Sequence, residues 1–312
     1  PKRIMVVAHH HLERDNPRGG ERSTKAIVEA LKSEGHEVLI FVRNEKTPEV
    51  GVEETSLAKY IVQSALAFQN SLHAAIICWL PDAVITYGMT GIVAGNVCQK
   101  LSVPYVLFPR DWSEVCPPPH THLSIHAPAS ADLAFAKKAY AGASSVITNA
   151  QYVGKVLSRI YDCPSVNAYV PVAPPPAATS LKPASQRPEI LLINARKFNG
   201  GTLLRRLASA RPNLRFHVVG GDGAQYPENV RVTAFFNGSN YADMYRDARL
   251  FLFPLGDDDP CGTGRVIFEA LHCETPSLSI DRCGMHEGLP TEWLLPDIAI
   301  YSWLEAIDRT LS

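Results

Sequence analysis

Two α/β domains in succession, each a doubly wound parallel sheet, are what this sequence predicts. Three observations lead there. Short apolar runs recur along the chain as unbroken blocks, which marks strands buried on both faces and so parallel strands with crossover helices. Helical periodicity fills the gaps between them, as in Ser23 to Glu34, where Ile27, Ala30 and Leu31 share one side. Finally, Val170 to Pro188 (VPVAPPPAATSLKPASQRP) is too rich in Pro, Ala and Ser to form a helix or a central strand. It reads as the join between domains spanning 1–169 and 189–312.

In chain order, the expected strands of the first domain are Ile4 to Ala8, Val38 to Val42, Ala83 to Thr86, Tyr105 to Phe108 and Val146 to Thr148. Those of the second are Ile190 to Ile193, Phe216 to Val219, Val230 to Val232, Leu250 to Phe253 and Ser277 to Ile280. Leu57 to Leu80 is apolar but broken by Lys59, Gln63, Gln69, Asn70 and His73, so it reads as buried or amphipathic helix and not as a membrane span. With 312 residues and 46% apolar content the chain can fill two cores. Ligands of such folds bind at the carboxyl ends of the strands, here in a cleft expected between the domains.

Bulk properties narrow the function. The formal net charge is −1 and no polybasic run occurs, which argues against a nucleic-acid partner and allows peripheral membrane contact at most. Seven scattered cysteines form no paired framework, so a reducing, cytoplasmic setting is expected. Cys116, His120 and His122 have no second matched ligand pair at zinc spacing, and Asp257-Asp258-Asp259 reads as a solvated carboxylate run. No metal or other cofactor is expected.

The densest chemistry lies in Asp257 to Leu271 (DDDPCGTGRVIFEAL), which follows the apolar run ending at Phe253-Pro254. A strand leads into a Gly-punctuated loop, and a helix opens near Gly264. The N–H groups of Gly264, Arg265 and Val266 fall where a first helical turn leaves donors unpaired, which suits an anion. One turn deeper, Glu269 can accept hydrogen bonds from a sugar diol. Arg265 and Glu269, at i and i+4, could equally pair on a solvated helix face. Two other loops sit at strand ends. Asp15 to Gly20 opens the first helix with Gly19-Gly20, where backbone can approach a ligand closely. Asn194 to Gly201 places Arg196 and Lys197 after a strand, where cations can neutralise a diphosphate.

Taken in order, Pro17 to Glu21, Gly35 to Val38, Phe108 to Trp112, Asn194 to Gly201, Val218 to Gly221, Asn229-Val230 and Gly264 to Leu271 resemble the retaining glycosyltransferases of family 4. The resemblance implies a GT-B fold of two Rossmann-like domains. It also implies a metal-independent hexosyltransferase that moves a sugar with retention from a UDP- or GDP-type nucleotide sugar to a hydroxylated acceptor. The second domain would hold the donor: Gly264, Arg265 and Val266 on the diphosphate, Glu269 on the ribose, with Gly19, Gly20, Asn199, Gly220 and Cys261 also at the donor. Arg196 and Lys197 would stabilise the leaving phosphate, and Arg110 and Asp111 would face the acceptor.

The departures from the family pattern are specific. Counting eight back from Glu269 reaches Cys261 instead of a first Glu, whose place Asp258 or Asp259 could take. Asn199 stands where a Lys is usual, and Arg110-Asp111 replaces a His-Asp pair. Two alternatives stay open: a GT-B nucleotide-sugar 2-epimerase, and a non-catalytic nucleotide-sugar binder.

Overall fold

The computed structural model describes residues 1–8, 12, 19–44, 51–54, 59–64, 67–110, 130–169, 172, 174–175, 181–195, 200–234, 241–255 and 263–312. The chain divides into two compact units, Pro1–Pro171 and Val172–Ser312.

The first unit is built on an eight-stranded sheet of order β3-β4-β2-β1-β5-β6-β7-β8. Its strands are β1 (Arg3–Ala8), β2 (Glu37–Asn44), β3 (Gly51–Glu54), β4 (Lys59–Ser64), β5 (Ala83–Tyr87), β6 (Tyr105–Phe108), β7 (Ser145–Thr148) and β8 (Val166–Asn167). All pairings are parallel except β3 with β4 at the edge. The helices are α1 (Gly19–Ser33), α2 (Phe68–Trp79), α3 (Gly88–Lys100), α4 (Ser130–Ala141) and α5 (Gln151–Tyr161). Alternate residues of β1 face opposite layers. Met5 and Val7 pack with Leu72, Ile76, Ala94 and Val97 of α2 and α3, while Ile4, Val6 and Ala8 pack with Val28 of α1. Unbroken apolar strands are the direct result of covering both faces.

One stretch departs from expectation. Leu57 to Leu80, read as helix, holds the strand β4 and then α2. Tyr60, Ile61 and Val62 are aromatic and β-branched residues that fit a pleated surface, and they pair with β2 in the register Ile40↔Tyr60 to Val42↔Val62.

The second unit carries six parallel strands in the order β11-β10-β9-β12-β13-β14. They are β9 (Glu189–Ile193), β10 (Arg215–Val219), β11 (Val230–Thr233), β12 (Ala248–Phe253), β13 (Ser277–Ile280) and β14 (Leu294–Leu295). The helices are α6 (Gly201–Ala210), α7 (Ala242–Tyr245), α8 (Arg265–His272) and α9 (Ile300–Leu311). Leu203, Leu204 and Leu207 of α6 and Trp303, Ala306 and Ile307 of α9 close over Ile190, Leu192, Val218, Leu250 and Leu252. The closing helix therefore packs within its own domain.

Both sheets reverse their winding direction at a definite place. In the first it lies between β1 and β5, in the second between β9 and β12. Crevices at the carboxyl ends of strands flanking such a reversal are the ligand sites of doubly wound folds.

Candidate active site

At the second reversal, β9 ends at Ile193 and β12 at Phe253, and the helices α6 and α8 begin beside them. Packing fixes these starts. Gly200 has φ 83°, and a Cβ there would lie 2.0 Å from Cγ of Pro254. A Cβ on Gly201 would meet the Ala195 carbonyl oxygen at 2.2 Å, and one on Gly264 would meet the Phe253 ring at 2.8 Å. Glycine is required at Gly200 on two counts, handedness and space. Gly200→Ala is expected to destabilise this domain by about 2–4 kcal/mol, from left-handed strain plus overpacking. Urea unfolding would read the loss, and an unchanged midpoint would contradict the packing described.

The start of α8 is further held by an aromatic ladder. Ring centroids of Tyr241 and Tyr245, Tyr245 and Phe251, and Phe251 and Phe253 are 6.4, 5.8 and 6.0 Å apart. The Tyr245 hydroxyl donates to the Val266 carbonyl at 2.9 Å, and Ser279 Oγ donates to the Phe253 carbonyl at 2.9 Å. Gly264 is the extended residue before the helix, and Ile267 N–H closes onto the Gly264 carbonyl at 3.0 Å. The N–H groups of Arg265 and Val266 thus precede the first intrahelical bond, at the positive end of the helix dipole.

Glu269 lies one turn in and is 2% exposed. Its Oε1 accepts from Arg265 Nε at 2.8 Å. The i,i+4 pair foreseen on a solvated face exists, but on a buried one. Burial raises the Tyr241 hydroxyl to about 12, and the Cys273 and Glu269 charges add to that, so Tyr241 stays a neutral donor. Such a carboxylate is costly to keep ionised unless cations or hydroxyl donors face it.

Gly220, with φ 75°, donates its N–H to the Thr233 carbonyl and accepts from Ala195 N–H, so its backbone binds β9 and β11 together. Asn194, which follows β9 and opens the loop read as Asn194 to Gly201, was given no role of its own in the sequence. It is left-handed at φ 62°, and its buried Oδ1 has no hydrogen-bond partner among the described residues. Its only sequence signal is a small polar residue closing an apolar strand, which turns share. Arg196, Lys197, Asn199, Cys261 and Asp257 to Asp259 lie outside the described residues.

At the first reversal, Gly19 and Gly20 open α1, and Arg110 follows β6 by two residues. A Cβ on Gly20 would lie 2.1 Å from Arg110 Nη1, so only glycine lets the guanidinium rest there. Asp111 and the histidines at 9–11, 120, 122 and 126 lie outside the described residues, as does Cys116. Cys283 is disulfide-bonded, whereas Cys78, Cys98, Cys163 and Cys273 are free. The bond at Cys283 was not visible in the sequence, since spacing along the chain says nothing of distance in the fold. Among the described residues no cluster of His, Cys, Asp and Glu could hold a metal, and no helix is long and apolar enough to cross a membrane.

Comparison with known proteins bears on the fold and on the second domain. Residues 201–312 match the family model described as glycosyl transferases group 1. No curated protein matches the chain. Among solved structures, sucrose-phosphate synthase from Thermosynechococcus elongatus is similar with a TM-score of 0.77 at 16% identity, covering 100% of this chain and 90% of that one. The E. coli trehalose-6-phosphate structure bound with UDP-2-fluoro glucose has a TM-score of 0.68 at 12% identity, covering 99% and 91%. A UDP-N-acetylglucosamine 2-epimerase (putative in its description) from Listeria monocytogenes has 0.62 at 12%, covering 99% and 88%. At these identities the likeness establishes the fold: two Rossmann-like domains of the GT-B kind.

Proposed function

We propose that the protein, whose residues 201–312 match the family model described as glycosyl transferases group 1 and whose fold is of the GT-B kind, is a glycosyltransferase that moves a hexosyl group from a UDP- or GDP-type nucleotide sugar to a hydroxylated acceptor, with retention and without a metal. One observation carries the reading. At the winding reversal of the second sheet, a helix start offers backbone N–H groups to an anion, and a buried carboxylate stands one turn behind it. A diphosphate fits the first and the attached ribose diol the second.

In this reading the N–H groups of Gly264, Arg265 and Val266 hold the diphosphate, and Glu269 accepts from the ribose hydroxyls. Arg196 and Lys197 neutralise the leaving phosphate, with Asn199, Gly220 and Cys261 around the donor and Gly19-Gly20 approaching it. Arg110 and Asp111 face the acceptor. The bond from the anomeric carbon to phosphate breaks as the acceptor oxygen attacks from the same side. The acceptor proton passes to the departing phosphate oxygen, and fixed dipoles stabilise the charge that grows there.

A thermal-shift screen against UDP, GDP, ADP and dTDP sugars is expected to single out UDP or GDP. Transfer should persist in EDTA and keep the anomeric configuration. No shift with any of the four would overturn the donor assignment. The epimerase neighbour motivates a second reading, in which the donor is converted with no acceptor present. An NMR time course on the donor alone separates the two.

A further inference from the structure

Glu189, His217 and Arg231 come from three neighbouring strands, β9, β10 and β11, and their side chains meet on the second sheet. Arg231 is registered directly against His217. Its guanidinium reaches past β10 to Glu189, with Nε donating to Oε1 at 3.1 Å and Nη2 to Oε2 at 2.6 Å. Nη2 also stands 3.1 Å from His217 Nδ1, and His217 Nε2 stands 2.9 Å from Thr233 Oγ1. The histidine is 8% exposed.

An arginine can only donate, so its contact with Nδ1 requires Nδ1 to be an acceptor. His217 is therefore neutral, with its proton on Nε2 and directed at Thr233 Oγ1. Burial and the Arg231 cation hold it below the ordinary histidine range, while Glu189 on β9 and Asp247, just before β12, act against them. A proton on Nδ1 sets one N–H against another and a second cation beside the first. The acceptor for that proton is already in place, because Glu189 Oε2 is 3.5 Å from Nδ1. Of the three side chains Arg231 is the one placed to leave, being 48% exposed against 10% for His217 and 13% for Glu189. A cavity of about 360 Å³, with Glu189, Arg215, Glu228 and Arg231 in its lining, opens beside it.

We infer that Glu189, His217 and Arg231 form an acid-sensitive clasp on β11: neutral His217 shares Arg231 with Glu189 and fastens the strand, whereas protonated His217 takes Glu189 for itself and releases Arg231. β11 is a sheet edge of four residues, partly to fully exposed and paired along one side only, with β10. Arg231 gives it a hold on β9, beyond that neighbour. A group held below its ordinary range by the fold stabilises it above the ordinary value and loses that contribution as pH falls. The strand is thus fastened at neutral pH and loosened as pH drops through about 6. Glu189 opens β9 and Arg231 is the second residue of β11, so the clasp lies towards the amino ends of the strands. The crevice assigned to the donor is at their carboxyl ends, and the inference stands apart from that assignment.

The test combines an NMR titration of the His217 ring, assigned through the backbone of β10, with amide hydrogen exchange on the full chain. Exchange, corrected for the intrinsic effect of pH, is compared at about pH 7.5 and about pH 5.5, on either side of the ordinary histidine value. His217 is expected to show the Nε2–H tautomer at neutral pH and to titrate below the ordinary range. Amides of β11 should exchange about three- to tenfold faster at the lower pH. Those of β13, three strands from β10, should not change. His217→Gln accepts from Arg231 and donates to Thr233 at either pH, and it should abolish the acid response of β11. Arg231→Gln removes the cation and leaves Glu189 facing the ring, so His217 should titrate higher than in the natural chain. The clasp is overturned if His217 titrates in the ordinary range or above it, if β11 and β13 respond alike to acid, or if His217→Gln keeps the response of β11. An unshifted His217 in Arg231→Gln overturns it too, and neither that reading nor the natural chain's depends on the His217 variant folding.

Discussion

Alanine in place of Glu269 is expected to lower nucleotide-sugar affinity at least tenfold and to destabilise the carboxy-terminal domain by about 3 kcal/mol. Both effects have one origin. The carboxylate is 2% exposed and Arg265, its partner at 2.8 Å, is itself largely buried. Removing the acid leaves a cation in a poorly solvated place, and it also removes the acceptor assigned to the ribose diol. Glu269→Gln separates the two, because the amide oxygen still accepts from Arg265 Nε while the charge is gone. The glutamine variant should recover most of the stability and little of the affinity. Calorimetry with a UDP sugar and urea unfolding measure the two quantities on the same samples. Unchanged affinity in both variants would remove Glu269 from the donor site and leave it a structural partner of Arg265.

The largest purely structural effect is expected at Trp303. Its side chain is fully buried, its indole N–H donates to the Asp297 carbonyl at 2.9 Å, and it packs among Leu203, Leu207 and Ile307. Trp303→Ala should cost about 3–5 kcal/mol, from lost apolar burial, the cavity left and an orphaned carbonyl. Trp303→Phe, which refills most of the volume but not the hydrogen bond, should cost less than half of that. Urea unfolding followed through the remaining tryptophans gives both values. A loss below about 1 kcal/mol for the alanine variant would mean that α9 is not docked on α6 as described.

The fold was largely legible because its determinants are local and repetitive. Strands such as Ile190 to Ile193 and Leu250 to Phe253 are buried on both faces, so their apolar runs stand out without any knowledge of neighbours. The strand β4 was not separable, because Lys59 to Ser64 runs straight into the helical pattern of α2 with no turn residue strong enough to part them. β8 and β14, two residues each, are too short to form any pattern.

The site divides in the same way. Gly264 to Glu269 could be read ahead of the fold, because a helix start and a residue one turn later are fixed by sequence spacing. Whether Glu269 and Arg265 face water or protein depends on Tyr241, Tyr245 and Phe253, which come from other elements. Tyr87 and Asn194 look in sequence like ordinary strand ends. What sets them apart is a buried polar atom with no hydrogen-bond partner among the described residues, which only the folded chain reveals.

The claim on which the rest depends is that α8 receives a pyrophosphate at its amino end. Amide chemical-shift changes on nucleotide titration test it most directly. UDP should produce large, saturating shifts at the N–H groups of Gly264, Arg265 and Val266, and uridine, lacking phosphates, should leave them nearly unmoved. Saturable UDP binding with those three amides unperturbed would contradict the account.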